Sequence, residues 1–547
     1  MLAPRRILLN LLTVLVVMVA GLSLLNSWFQ APPQTQLDLI QTHLSLQAAR
    51  TLDDPEYQSL ARPLLGADVV ENAAKRYAKT TESLTTRLDR IEQLQPTPSG
   101  ETSTHSPTPR IQGIYRLQVE VDALRLRTGL LAAYQQDVAQ ALSYWTAIST
   151  ELAPTADVLE GMWGDPLRIL PDAEPILRSS LDGWFRGVAL QRLYSLQQRS
   201  DALNALNQEQ EQRAIAALTR LLLVGGIPVL GLLIGIITLI GWVGWHLWRK
   251  QPLVGSRWQV PWPAVSIQVV LTGWFVGFFG LGWLVPQLYV GLLGIPAGQL
   301  SPLQRALQLL LTYLSSAAVG LGLIIWVART ERRPISPQEM ASSGEPAPET
   351  TRDLDLETDQ AWDGDEESDS PAPVKPSLRT WPETSIAGLD LFRVRVWGSW
   401  PLWSLGAYFA AMPMVLVAGA LSQVLLPAGG GGNPLLPLLL QSQGWGPRFI
   451  FFLVVSICAP IFEEILFRGF LLPSLSQRMP MMGAVLVSAV LFAAAHLSLS
   501  DILPLTVLGL VLGVIYSRTR NLLAPIVLHS LWNTGSLVAL IVLGQAV

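Results

Sequence analysis

Cysteine and charge are both scarce in this chain of 547 residues. Its one cysteine, Cys458, has no histidine near it in sequence, so we interpret it as an ordinary buried residue and not as a nucleophile. Charged residues make up only 14% of the chain, whereas about a quarter is usual for soluble domains. Half of the chain is apolar. This composition indicates an integral membrane protein whose partner is the lipid bilayer, and we expect no nucleic-acid partner.

Long apolar runs predict an all-α, polytopic transmembrane helix bundle of about nine spans. Arg5 and Arg6 precede the first run, which predicts a cytoplasmic N-terminus by the positive-inside rule. That run is long for a signal peptide, so we interpret it as a retained anchor. Nine crossings then place the C-terminus outside the cytoplasm. The spans lie at about residues 7–25, 221–248, 263–294, 307–327, 400–426, 449–472, 482–497, 503–516 and 522–543.

Changes in composition divide the chain into five parts. An N-terminal anchor (1–29) precedes residues 30–218, whose apolar residues recur at three- and four-residue intervals and predict an extracytoplasmic helical domain. Spans 2 to 4 occupy 219–333. Residues 334–390 are rich in proline, serine and acidic residues, which predicts a disordered linker. Residues 391–547 carry spans 5 to 9. Whether the helical domain recruits substrates or has no activity of its own stays open.

Ionisable side chains interrupt the predicted sixth span. Such groups are costly at membrane depth, at about 2.5 to 3.5 kcal/mol each, so a cluster of them indicates a functional site. Glu464 and Arg468 are four residues apart on one helical face and can form a pair that reduces the cost of both charges. Glu463 is rotated by about 100° from Glu464 and has no partner within its own helix. It is therefore the free carboxylate.

Two later spans carry further polar residues at helical spacing. His529 and Asn533 are four residues apart and point to one side of the ninth span, and Phe492 shares a face of the seventh span with His496. A buried carboxylate can take a proton from water, and a nearby histidine can hold that water or a metal that activates it. A second histidine and an amide can stabilise an oxyanion. Convergence of the three helices would therefore suit hydrolysis of an acyl bond by activated water.

The three motifs Glu463-Glu-x-x-x-Arg, Phe492-x-x-x-His and His529-x-x-x-Asn, in this order on successive helices, resemble those of the CPBP family of intramembrane proteases. That family includes CAAX prenyl proteases and bacteriocin-processing or Abi proteins. The resemblance covers the chain from about residue 390 onwards. It implies an intramembrane endopeptidase that acts on a membrane-associated peptide or protein.

The resemblance also implies a role for each motif residue. Glu463 and His496 would activate water, and His529 with Asn533 would stabilise the oxyanion or lie beside a metal site. Glu464, Arg468 and Phe492 would support them. A divalent metal such as zinc on Glu463, His496 and His529 stays open.

Two other classes of function are compatible with these residues. Buried ionisable groups can relay protons or ions in a transporter, although the two halves of the chain show no internal repeat. A non-catalytic immunity or scaffold protein could also use the same fold.

Straight helices would place Glu463 towards the cytoplasmic end of span six and His496 towards the external end of span seven. The two would then differ in depth unless a helix is kinked, short or re-entrant. Pro460 and Pro473 are candidates for such a kink.

Overall fold

The computed structural model describes residues 3–28, 34–93, 109–250, 252–258, 260–330, 394–426, 439 and 444–544. Within these ranges every regular element is a helix, which confirms the all-α prediction. The N-terminal part contains α1 (Ala3–Trp28), α2 (Gln34–Ala48), α3 (Gln58–Leu65), α4 (Val69–Gln93), α5 (Pro109–Tyr134), α6 (Val138–Trp145), α7 (Ala153–Trp163), α8 (Ala173–Ser180) and α9 (Gly183–Leu196).

The remaining helices are longer and more apolar. They are α10 (Ser200–Arg249), α11 (Val265–Leu293), α12 (Pro302–Thr330), α13 (Trp400–Leu425), α14 (Trp445–Ser476), α15 (Met481–Ala494), α16 (Ile502–Thr519) and α17 (Leu523–Gly544). Short 3₁₀ turns lie at Ala49–Leu52 and Ala297–Gln299.

Helix α2, helices α4 to α9 and the beginning of α10 pack around one apolar core. Leu130, Trp145, Phe185 and Leu190 are fully or almost fully buried in it. Helix α10 is 50 residues long and runs without interruption from this helical domain into an apolar span. The predicted linker at 334–390 lies outside the described residues.

Eight helices of the described chain are long and apolar enough to cross a membrane: α1, α10 to α14, α16 and α17. The predicted seventh span corresponds to α15, which has only 14 residues. At about 1.5 Å per residue α15 is about 21 Å long, shorter than the hydrocarbon core of about 30 Å. The prediction of a polytopic bundle with about nine helical spans is thus confirmed, with one span incomplete.

The end of the last helix meets the helical domain. Leu543 of α17 shares a buried apolar cluster with Ile40 and Leu44 of α2 and Ala217 of α10. The C-terminal end of α17 and the helical domain therefore lie at the same end of the bundle. Which side of the membrane this end faces stays a prediction.

The front spans pack directly against α14. Trp274 of α11 lies 5.8 Å from Phe462 of α14, measured between ring centroids. On α12, Gly320 faces the same ring so closely that a Cβ there would lie 2.8 Å from it. Only glycine permits this close approach. Helices α12 and α14 therefore pack in one core, although a long stretch of sequence separates them.

Close packing also joins α15 and α16. A Cβ on Gly509 would lie 3.0 Å from Ala489, and one on Gly513 would lie 3.0 Å from Val485. The Gly-x-x-x-Gly spacing thus lets the two helices approach closely.

Candidate active site

Two π-helical segments interrupt α14, and each lies just before a proline. Leu453–Cys458 precedes Pro460, and Ile465–Leu471 precedes Pro473. The proline ring clashes with the carbonyl four residues earlier, and a wider turn relieves that clash. Between the two segments, the short α-helical stretch Ala459–Glu464 carries both carboxylates. The wide turns therefore change the direction in which the carboxylates point relative to the ends of α14.

The backbone carbonyl of Val455 accounts for the position of the Asn533 side chain. In the first π segment hydrogen bonds run from residue i+5 to residue i, and the N–H of Ala459 accordingly donates to the carbonyl of Val454. The donor for Val455 would be residue 460, a proline without an N–H. Asn533 Nδ2 donates to this carbonyl instead, at 2.8 Å. One amide hydrogen of Asn533 is thus committed to the backbone of α14.

The difference in depth that was expected from straight spans is small, because α14 continues to Ser476 beyond the predicted end of span six. Glu463 lies 13 residues before Ser476, the end of α14, and His496 lies 15 residues after Met481, the start of α15. At about 1.5 Å per residue, both lie about 20 Å from the turn that joins the two helices. The two residues are therefore at similar depth.

Glu464 and Arg468 form an ion pair inside the bundle. Arg468 Nη1 donates to Glu464 Oε1 at 2.8 Å, and both side chains are fully buried. Arg468 Nη2 donates to the carbonyl of Gly509 at 3.0 Å, and the guanidinium carbon lies 4.5 Å from the centroid of the Phe492 ring. Reasoning from the sequence missed the Gly509 contact, because a backbone carbonyl has no signal in residue type.

The carboxylate of Glu464 determines which nitrogen of His529 carries the hydrogen. His529 Nδ1 lies 2.9 Å from Glu464 Oε1. An ionised carboxylate can only accept hydrogen bonds, so Nδ1 carries a hydrogen and donates it. In the neutral ring, the lone pair then belongs to Nε2. Glu464 therefore turns His529 into a hydrogen-bond acceptor at its other nitrogen.

That nitrogen faces Glu463. His529 Nε2 lies 3.9 Å from Glu463 Oε2, too far for a direct hydrogen bond. Glu463 is the more accessible carboxylate, since its side chain is 17% exposed while Glu464 is fully buried. Among the described residues Glu463 Oε2 has no hydrogen-bond partner although it is buried. Because such an oxygen is costly to leave unpaired, this geometry suits a bound water or substrate between the two acceptors.

Phe492 lies beside both imidazoles. Its ring centroid is 5.0 Å from that of His496 and 5.6 Å from that of His529. His496 Nδ1 lies 2.9 Å from the Phe492 carbonyl, to which it donates, so its Nε2 is also an acceptor. In the part of the chain that the structure describes, His496 makes no hydrogen bond or ion pair with Glu463. The structure thus brings Glu463 to His529, with His496 on the other side of this phenylalanine.

The residue types at the site are suitable metal ligands, but their positions are not suitable for a three-ligand site. A carboxylate and two imidazole Nε2 atoms with free lone pairs are ligands that zinc prefers, and catalytic zinc usually has three protein ligands. Only Glu463 and His529 approach each other, however, and the described residues contain no group of three histidine, cysteine or carboxylate side chains arranged to hold a metal. In this arrangement Glu463, His496 and His529 do not fit a three-ligand metal site.

Comparison with known proteins shows which family this part of the chain resembles. Residues 445–535, which contain all seven predicted site residues, match the family model described as type II CAAX prenyl endopeptidase Rce1-like. The resemblance predicted from the three motifs is thereby confirmed for these residues.

Curated relatives match about a quarter of the chain. The "Putative membrane peptidase YdiL" of Bacillus subtilis is 30% identical over 133 residues, which cover 24% of this chain and 53% of the relative. An "Uncharacterized 24.3 kDa protein" of Escherichia coli is 31% identical over 132 residues, which cover 23% and 58%. The chain thus spans about half the length of these relatives. No solved structure matches significantly.

Proposed function

We propose that this protein is an endopeptidase that hydrolyses a peptide bond of a membrane-associated peptide or protein. The approach of Glu463 Oε2 to His529 Nε2, at 3.9 Å, carries the proposal. Both atoms are acceptors, and one water molecule can donate a hydrogen to each of them. The family of residues 445–535 and the name of the Bacillus subtilis relative, a membrane peptidase, support the same reaction.

In the proposed reaction Glu463 acts as the general base. The water oxygen attacks the carbonyl carbon while one water proton passes to Glu463 Oε2. The carbon–nitrogen bond of the tetrahedral intermediate then breaks, and Glu463 returns that proton to the leaving nitrogen. A new carboxyl group and a new amine result, and the carboxylate of Glu463 is restored. His529 stays neutral throughout and orients the water through Nε2.

The buried ion pair acts indirectly. Glu464 accepts from His529 Nδ1 and so fixes the tautomer in which Nε2 faces the water. Arg468 balances the charge of Glu464, and among the described residues Glu463 forms no salt bridge with a lysine or arginine. His496 and Asn533 retain their predicted roles as proposals. The His496 ring packs against Phe492, which also contacts the His529 ring.

The substrate class follows from the location of the site. Every site residue lies on or beside an apolar helix of the bundle, so a substrate must reach the site from the lipid or from a membrane surface. The family description names prenyl endopeptidases, and a prenylated peptide with a C-terminal CAAX sequence is therefore one substrate to test beside unprenylated ones.

Cleavage of membrane-tethered reporter peptides by the purified full-length protein in detergent tests the proposal. Glu463→Gln should lower kcat by about 10²- to 10⁴-fold, since it removes the base. Glu71→Gln, a change at an exposed carboxylate of the helical domain, should cut like the wild type. Equal cleavage by Glu463→Gln and wild type would contradict the assignment of the base.

A metal chelator in the same assay tests the possible cofactor. Loss of activity that is restored by added zinc would show that the site rearranges around a metal. Unchanged activity would show that the residues act without a removable metal.

A further inference from the structure

Hydrogen-bond donors are scarce around Glu463. His529 and His496 each use Nδ1–H for an internal contact and present Nε2 as an acceptor. Asn533 donates one amide hydrogen to the backbone of α14. An oxyanion that forms during attack on a carbonyl needs donors aimed at it. Residues 445–535 thus supply mainly acceptors for a water, and Asn533 has only its second amide hydrogen left for an oxyanion. A further donor would therefore stabilise the oxyanion.

Tyr313 is a donor in a suitable place. It lies on α12, outside the segment 445–535 that matches the family. Its ring centroid is 6.3 Å from that of Phe462, the residue directly before Glu463. Tyr313 thus packs against the residue that adjoins Glu463 in α14. Reasoning from the sequence did not single out this residue, because tyrosine is common in membrane helices.

The hydroxyl of Tyr313 has no partner in the free protein. It is buried, and among the described residues no atom accepts or donates a hydrogen bond to it. A buried hydroxyl without a partner lowers stability. A phenol is protonated at neutral pH and can therefore donate. The packing that holds it there is specific, because Gly320, two turns further along α12, admits the Phe462 ring.

We propose that Tyr313 is a further catalytic residue, which donates a hydrogen bond to the carbonyl oxygen of the scissile peptide bond. The O–H bond of Tyr313 stays intact, and its hydrogen bond strengthens as that oxygen gains negative charge during attack by water. The front half of the chain thus contributes to the active site a residue that the family segment does not contain. This inference rests on the proposed peptidase function.

The test compares Tyr313→Phe with Tyr289→Phe, a matched change on α11. Both variants are purified at full length, and reporter cleavage and thermal unfolding are measured beside wild type and Glu463→Gln. Tyr313→Phe should lower kcat by about 10²-fold, with KM changed less than threefold, since the bond forms fully only in the transition state. Its unfolding temperature should stay the same or rise, because the change breaks no hydrogen bond of the folded protein. Tyr289→Phe should match wild type in both.

The outcomes separate the two proposals. If wild type cuts, Glu463→Gln does not and Tyr313→Phe keeps full kcat, the role of Tyr313 is wrong while the proposed function stands. A loss of kcat that is accompanied by a lower unfolding temperature would show a structural role and would also overturn the inference. If wild type cuts none of the reporters, prenylated or not, the proposed function fails and the role of Tyr313 fails with it.

Discussion

Replacement of Arg468 by methionine should unfold the bundle at a much lower denaturant concentration. The guanidinium is fully buried and is the cation nearest to Glu464, which it contacts at 2.8 Å. Methionine fills similar space without charge, so the carboxylate of Glu464 would be left buried with only His529 to donate to it. Loss of one partner from a buried ion pair costs about 3 to 5 kcal/mol. Loss of the Gly509 contact adds to this.

A double-mutant cycle measures the interaction energy between Glu464 and Arg468 apart from their contacts with other residues. Glu464→Gln alone leaves the arginine cation buried without its counter-charge, and we expect a loss of about 3 to 5 kcal/mol here too. The double variant Glu464→Gln/Arg468→Met contains no buried charge. Its free energy of unfolding should therefore fall less than that of either single variant, because the double change removes the ion pair without leaving an unpaired buried charge.

Unfolding of the purified protein in mixed micelles, followed by tryptophan fluorescence, gives the three free energies. The exposed pair of Lys75 and Glu71 has the same i, i+4 spacing in the helical domain and serves as the control. Lys75→Met should have no measurable effect on stability, since exposed pairs contribute little. If the losses of Arg468→Met and Glu464→Gln simply add in the double variant, or if each is below about 1 kcal/mol, the reasoning about the buried pair is wrong.

Three further changes have defined outcomes. Gly509→Leu should separate α15 from α16, because even a Cβ at this position lies 3.0 Å from Ala489, and should lower the unfolding temperature by several degrees. Asn533→Ala should destabilise the protein by about 1 to 3 kcal/mol, since the Val455 carbonyl loses its donor. The helical domain should lose stability as the pH falls from about 6.5 to about 4, because burial lowers the pKa of His43 to about 4, and the unfolded chain then binds a proton that the folded chain does not.

Each of these outcomes has its own control. Gly322, also on a membrane helix, has open space around it, so a Gly322→Leu variant that is as unstable as Gly509→Leu would contradict the packing argument. Pro460→Ala restores an N–H donor for Val455, and Asn533→Ala should cost less in that background. His43→Gln should flatten the dependence of stability on pH by at most about 3 kcal/mol, and an unchanged slope would show that another group titrates.

Local contacts of the site follow from the sequence. The pair Glu464 and Arg468 could be predicted because four residues along one helix determine their contact. The contact of His529 with Glu464 could not, since it depends on how two helices are rotated against each other. The two π segments of α14 change that rotation, and a helical period of 3.6 residues does not reveal them. Prolines were visible as candidates for a kink, but the form of the kink was not.

For the membrane spans, too, the sequence predicts some features and not others. Long apolar runs predicted the helices, because length and hydropathy decide whether a segment can cross a membrane. The seventh span was predicted to continue to residue 497, whereas α15 ends at Ala494 and Leu497 adopts a left-handed backbone conformation with φ of 54°. Apolar composition cannot show this early end, since the residues on both sides of it are apolar. The similar depth of His496 and Glu463 arises at the other end, where α14 continues to Ser476 instead of ending at residue 472.

We propose that Glu463 and His529 hold the same water. Single-turnover cleavage rates of wild type, Glu463→Gln, His529→Ala and the double variant, each corrected for its folded fraction, test this. Each single change should lower the rate by at least about 10²-fold, and the double variant should be no slower than the slower single, because residues that act as a unit lose their effect together. Losses that multiply in the double variant, or a His529→Ala protein that cuts at the wild-type rate, would contradict the claim.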